Sequence, residues 1–194
     1  MKKRELKLPR GYDPKTQKRV GLYAAELDDQ LKRLKNNIKG LTVKQLEWQL
    51  RPGMNTIGIL LAHLALVEVW WIRVAPKEIP WGDEAKKIMS KACGIEDDGI
   101  PLAPDAKHTK CIKGFSVDKY TKMLTSVRRG IHREMKTWKD RDLDNPYKLG
   151  KNHSFTRNWT LYHVLEHFAQ HFGQILMLKH MMRDAGVLKD KTKK

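Results

Sequence analysis

Apolar residues recur three and four apart along much of this chain, the spacing that gathers them on one side of an α-helix. Val20, Tyr23, Ala24, Leu27, Leu31 and Leu34 follow it. They predict a helix from about Thr16 to Asn37, stopped by Gly40. Thr42 and Gln45 have capping-box spacing and predict a short helix over Val43 to Gln49, ended by Arg51-Pro52-Gly53. A different pattern then begins. From Ile57 to Val67 every residue except His63 is apolar or glycine, and a helix that is apolar all round belongs in an interior. Asn55 or Thr56 can cap this second main helix, and it should end before Pro76. A third is predicted from about Ser116 to Trp138, and a fourth from about Asn158 to Ala185, stopped by Gly186. Between the second and third lies a long segment holding Pro76, Pro80, Gly82, Gly94, Gly99, Pro101 and Pro104, with a short helix near Asp83 to Ala92. Connections of that length tend to be lids or caps. No strand pattern competes. The expectation is an all-α four-helix bundle, one domain over residues 1–194, with a long insertion between helices two and three.

Composition narrows the class of protein. At 194 residues, 40% of them hydrophobic and six of them Trp, the chain can bury one core and is not a disordered one. Cys93 and Cys111 are the two cysteines. With no CxxC they suggest neither a disulfide framework nor a thiolate zinc site, and two free thiols are expected. The basic N-terminus leads into no apolar run of a secretory signal. The most hydrophobic stretch, Ile57 to Val67, falls short of the roughly 20 residues of a membrane span. A cytoplasmic protein without a membrane anchor is expected.

Net charge is +17. More than half of the excess sits at the two ends, 1–20 and 179–194, and the rest mainly in residues 107–141. The ends, 1–15 and 187–194, are expected to be flexible basic tails. Such a field attracts nucleic acid, anionic lipid or acidic metabolites without distinguishing them.

Chemistry concentrates in the histidines. His163, His167 and His171 are spaced i, i+4, i+8 along one side of the last helix. The outer two are about 12 Å apart along the axis at 1.5 Å per residue, so all three cannot easily reach one ion. Helical phase selects a pair. The apolar arc of Leu161, Val164, Leu165, Phe168, Phe172 and Ile175 lies to one side of the stripe. His171 is at its edge, His167 one step outward and His163 further out, which leaves His163 as a supporting or surface residue. Two neutral imidazoles one turn apart can share a cation. A third ligand should come from another inward helix, and His63 is the obvious candidate: alone in its apolar stretch, it would cost about 1–3 kcal/mol if left unsatisfied. A hydrogen bond to a neighbouring helix would satisfy a lone core histidine equally well, but an inward HxxxH on a second helix turns the balance toward a metal. Three imidazoles suit zinc first, with nickel and iron as alternatives, and leave a position for water or substrate.

The stretch from Arg51-Pro52-Gly53-Met54-Asn55-Thr56-Ile57 to His63 resembles the second-helix motif of the DinB/YfiT-like metalloenzyme superfamily, a "pg-x-(S/T)-I-x-x-L-(V/A)-H" run that presents the first ligand. The segment His163-Val-Leu-Glu-His167-Phe-Ala-Gln-His171-Phe-Gly-Gln174 resembles its fourth-helix motif, H-x3-H-x3-H-x-G-Q, whose second and third histidines complete the triad. The resemblance implies one divalent ion on His63, His167 and His171, in agreement with the phase argument. Many members carry His-His-Arg-Gly-Gln where Gln170 and Phe172 flank His171 here, so an extra His and an Arg are absent. The segment 76–115 also looks longer than usual. The resemblance further implies a metal-dependent enzyme acting on a small molecule, either a transferase using a low-molecular-weight thiol such as bacillithiol or mycothiol, or a thiol-dependent isomerase. No cysteine falls in either motif, so such a thiol would be a cosubstrate. The general base is left unassigned. Glu68 is about 140° round the helix from His63 and reads as a polar residue near the helix end, and Glu166 reads as solvated.

Two rival functions remain at this stage. A nucleic-acid binder would use Arg128, Arg129, Arg133, Lys136 and Lys139 with the basic ends, but no binding motif accompanies them and this is not favoured. A non-catalytic metal-binding protein is the other. Trp70, Trp71, Met177, Met181 and Met182 read as packing material, with the Trp pair filling the core or a seam of a homodimer.

Overall fold

The helices form where the caps place them. The computed structural model describes residues 5–95 and 107–189. Helix α1 spans Lys18–Ile38 and α2 Val43–Leu46, the latter opened by the reciprocal Thr42–Gln45 capping box. In α3, Ile57–Val69, the Thr56 hydroxyl accepts from the Ile59 amide at 3.0 Å. Helix α4 covers Asp83–Cys93 and closes on Gly94 at φ +68°, a conformation glycine adopts freely. Ser116 caps α5, Val117–Met135, and Thr156 caps α6, Arg157–Asp184. Gly99, Pro101 and Pro104 of the long connection lie outside the described residues.

Four of these helices make the bundle. α1 packs on α5 and α6, and α3 packs on α5 and α6, so each helix has two neighbours and one diagonal partner. The core between them includes Leu27, Leu34, Leu60, Leu64, Tyr120, Ile131, Phe168 and Ile175. Helix α3 and the turns after it, Ile57–Lys77, are long and apolar enough to cross a membrane, more than the sequence pattern alone indicated. That stretch is nonetheless the central helix, with 72% of its most apolar window buried in the protein.

Three features depart from the expectation. The helix does not run regularly to Pro76: α3 gives way to a wide π-helical turn at Trp70–Val74 and a 3-10 turn at Ala75–Lys77. The wider turn changes the phase of the side chains that follow and so re-aims Trp70 and Trp71. A β-hairpin is also present, where none was expected. Strand β1, Pro146–Leu149, pairs antiparallel with β2, His153–Thr156, with Tyr147 opposite Phe155. Gly150, at φ +67°, allows the turn between them. β2 runs directly into α6, and the buried Tyr147 hydroxyl meets Thr160 Oγ1 at 2.5 Å, which ties the hairpin to the first turn of that helix.

The third departure is electrostatic. Glu68, expected as an ordinary polar residue near the helix end, is 2% exposed and grips Arg128 with both oxygens, at 3.1 Å to Nε and 2.5 Å to Nη2. Arg128, expected on a basic surface, is 4% exposed and reaches Asp28 at 3.3 Å with its remaining nitrogen. Asp28 in turn accepts from His132, whose other ring nitrogen meets the Tyr12 hydroxyl at 2.9 Å. Tyr12 is buried, and Gln17 donates to the carbonyls of Lys136 and Trp138. Tyr12 and Gln17 are thereby held against α5 and the residues just after it.

Candidate metal centre

α3 and α6 run antiparallel, and their facing sides bring together residues remote in sequence. His63 lies midway along α3, in a helix otherwise chosen for burial. His167 and His171 sit one turn apart on α6, one residue before Phe168 and Phe172, which enter the core. Each histidine is thereby held at the edge of the interior, half-buried. The Nε2 atoms of His63 and His167 are 3.0 Å apart, as are those of His167 and His171. One ligand atom from each of the three lies within 4.8 Å of the others.

The three imidazoles stand close enough together for one cation to be shared among them. His171 Nδ1 donates to the Gln174 side-chain oxygen at 2.8 Å, which leaves Nε2 as a bare lone pair. Burial, together with the neighbouring imidazoles of His171, His63 and His163, lowers the pKa of His167 to about 3, so its ring is neutral at ordinary pH. A single proton on His167 Nε2 can serve only one of its two partners. One lone pair of the trio therefore points at another nitrogen without a proton between them, an arrangement that a shared cation relieves. Donors about 2.0–2.1 Å from a tetrahedral ion stand roughly 3.3 Å apart, close to the two separations found. The residues fit a three-imidazole site.

His163 stands outside the trio, as its phase predicted. It stacks on Trp159 at 4.7 Å between centroids and 11° between planes, meets the edge of Trp71 at 5.0 Å, and contacts Glu166 at 3.3 Å. Glu166 is accordingly not simply solvated: it is shared between His163 and the Tyr162 hydroxyl. Trp71, re-aimed by the wide turn, also packs edge-on against Phe155 and Trp159. These rings close one end of the site with an aromatic wall, a role the sequence did not suggest for the Trp pair. Gln174, present in the motif but given no role there, is the residue that fixes the His171 tautomer.

The other end is open. A cavity of about 370 Å³ lies between Met54, Asn55 and Leu60 on one side and Gln174, Met177, Leu178 and Met181 on the other. Met177 and Met181, expected as packing material, are thus cavity lining, while Met182 alone of that group enters the core. Neither cysteine belongs to the histidine cluster. Cys93 is 6% exposed, and burial aided by the charge of Glu68 pushes its thiol up to about 12.

Comparison with known proteins bears on the family and the fold. No curated protein matches the sequence. The crystal structure of a DinB-like protein from Bacillus cereus ATCC 10987 is similar at 20% identity and a TM-score of 0.54, over 92% of this chain and 98% of that one, a likeness of fold. A family model described as Mycothiol-S-transferase matches residues 23–183, a span that includes all of α3 and α6 as far as Arg183. With most of its length matched by that model, the chain belongs to the mycothiol-S-transferase family.

Proposed function

We propose that this protein is a metal-dependent thiol S-transferase in which His63, His167 and His171 hold one divalent ion, zinc in first place with nickel or iron as the other ions imidazole suits. The convergence of the three Nε2 atoms carries the reading, and the family supports its chemistry. An ion held there would supply Lewis acidity and a positive charge that favours the thiolate form of a nearby thiol.

The protein's own residues then have distinct tasks. Gln174 keeps the His171 lone pair directed inward. The wall of Trp71, Phe155 and Trp159 shields one flank of the site from water. Cys93 is buried with its thiol pKa pushed up, and neither it nor Cys111 belongs to the histidine cluster, so the sulfur is assigned to a small-molecule cosubstrate. In the transfer, a sulfur–carbon bond forms as the leaving group departs with its electron pair, and the thiol proton passes to solvent.

The test is metal content by mass spectrometry on wild type and His171→Ala, purified without a metal-charged column. It is followed by turnover of monochlorobimane with mycothiol, bacillithiol, glutathione and coenzyme A. About one ion per chain, mostly lost in the variant together with thiol-dependent turnover, is expected. A retained ion without turnover by any thiol would make this a non-catalytic metal-binding protein. Equal, near-zero metal in both would remove the site.

A further inference from the structure

The cavity beside the histidines continues their stripe. Along α6, Gln174, Leu178 and Met181 follow His171 at i+3, i+7 and i+10, on the same side of the helix. Along α3, Leu60 precedes His63 by three residues and so shares its face. Because the helices are antiparallel, both sets of lining residues lie toward the same end of the cluster, opposite the aromatic wall. Gln174 belongs to both places: its oxygen holds His171 and its amide is part of the cavity wall.

The lining is chemically selective. Among the described residues no charged side chain contributes to it, and the carboxamides of Asn55 and Gln174 are its polar side chains. Three methionines, Met54, Met177 and Met181, give it polarizable, unbranched walls that adjust to differently shaped apolar guests. Met177 is 56% exposed at the rim, a large apolar side chain left in water, which an apolar guest would cover. The volume is within the range of sites that enclose small molecules. The polar, charged thiols of cells are poorly suited to such walls, whereas an uncharged electrophile is well suited.

We infer that this cavity receives the uncharged apolar body of the electrophile, with Gln174 donating its N–H to an acceptor oxygen on it. The thiol-transfer reading above determines only the nature of the guest's reactive end; the cavity's preference for an uncharged apolar body stands on its lining.

A direct binding experiment tests this without turnover. The chain has eight methionines, three of which line the cavity. With methionine methyl groups labelled with carbon-13, metal-loaded protein is titrated with syn-dimethylbimane, an uncharged bimane that has no leaving group. The methyl signals of Met54, Met177 and Met181 are expected to shift and saturate, while those of Met89, Met123 and Met135 in the core stay still. Metal-free His171→Ala should show the same three shifts. Met177→Glu, at an exposed position, should weaken binding by about tenfold with metal content unchanged, since a charge at the rim opposes an apolar guest. Shifts confined to other methionines, or wild-type affinity in Met177→Glu, would overturn the inference. Shifts at the three methionines in a protein that binds no metal would leave the cavity standing and remove the thiol-transfer reading. Full turnover of monochlorobimane with those methyls unmoved would do the reverse.

Discussion

Replacing Glu68 with Gln removes one charge from the most deeply buried ion pair described here. The carboxylate and the Arg128 guanidinium are 2% and 4% exposed and share two hydrogen bonds. Deleting one member of such a pair typically costs about 3–5 kcal/mol, because the other charge stays buried and uncompensated. Asp28 still holds the remaining guanidinium nitrogen at 3.3 Å, but its side chain is 41% exposed and well screened. The expected loss for Glu68→Gln is therefore about 3 kcal/mol, toward the low end. With a urea slope near 2 kcal/mol/M for a chain of this size, the midpoint should fall by about 1.5 M. Arg128→Leu should cost as much or more, since it strands Glu68. The double variant Glu68→Leu/Arg128→Leu removes both charges together and should unfold within about 1 kcal/mol of wild type, since apolar replacement of a whole buried pair is near neutral. Urea unfolding followed by circular dichroism on all four proteins gives the coupling directly. A loss below about 1 kcal/mol for Glu68→Gln, or a double variant as weak as the sum of the singles, would refute the reasoning. Metal content should be unchanged in every variant that folds, since the pair supports the bundle and not the histidines.

Two shorter predictions concern titration and reactivity. Burial raises the Asp28 carboxyl, but the hydrogen bond and charge of His132 and the charge of Arg128 outweigh it and hold the group below the usual range. Its contribution to stability is thus present above the unfolded value of about 3.9 and lost as pH falls through the lower folded value. Urea midpoints between pH 5 and pH 2 should drop more steeply for wild type than for Asp28→Asn, and parallel curves would contradict this. At pH 8 the Cys93 thiol, with a pKa pushed up to about 12 and a 6% exposed side chain, should resist a thiol reagent in the native protein. Cys93→Ser should leave the native labelling count unchanged, and a drop of one thiol would show that Cys93 is reactive.

Much of this was legible because it depends on local rules. Thr56 ahead of an apolar run is a cap whatever the rest of the chain does, and the Thr42–Gln45 box needs four residues. Helical phase singles out His167 and His171 over His163, and in the structure those two stand with His63 within 4.8 Å of one another. What escaped depends on partners distant in sequence. Glu68 and Arg128 are 60 residues apart, and each by itself has the composition of a solvated residue; only the seam between α3 and α5 makes them a pair. Strands β1 and β2 have four residues each, too few for alternation to register, and Tyr147 meets its partners Phe155 and Thr160 only once the hairpin folds onto α6. The wide turn at Trp70–Val74 has no sequence signature, yet it decides where Trp71 points.

The two ends of the histidine cluster differ in a way that assigns a direction to the site. At the end toward the start of α6, Trp71, Phe155, Trp159 and His163 satisfy one another through ring contacts of 4.7–5.3 Å, so that flank is filled and stiff. At the end toward the C-terminal half of α6 lies a thioether-lined cavity, and Met177 at its rim is 56% exposed. An aromatic wall offers a guest only surfaces that are already stacked, whereas an open apolar cavity gains by being filled. The residue linking cluster and cavity is Gln174, whose one carboxamide orients a histidine with its oxygen and has its N–H left for a guest. A group entering from the cavity therefore meets the lone-pair side of the trio with the wall behind it, and approach from the opposite flank would first have to break ring contacts that the hairpin and the wide turn were placed to make.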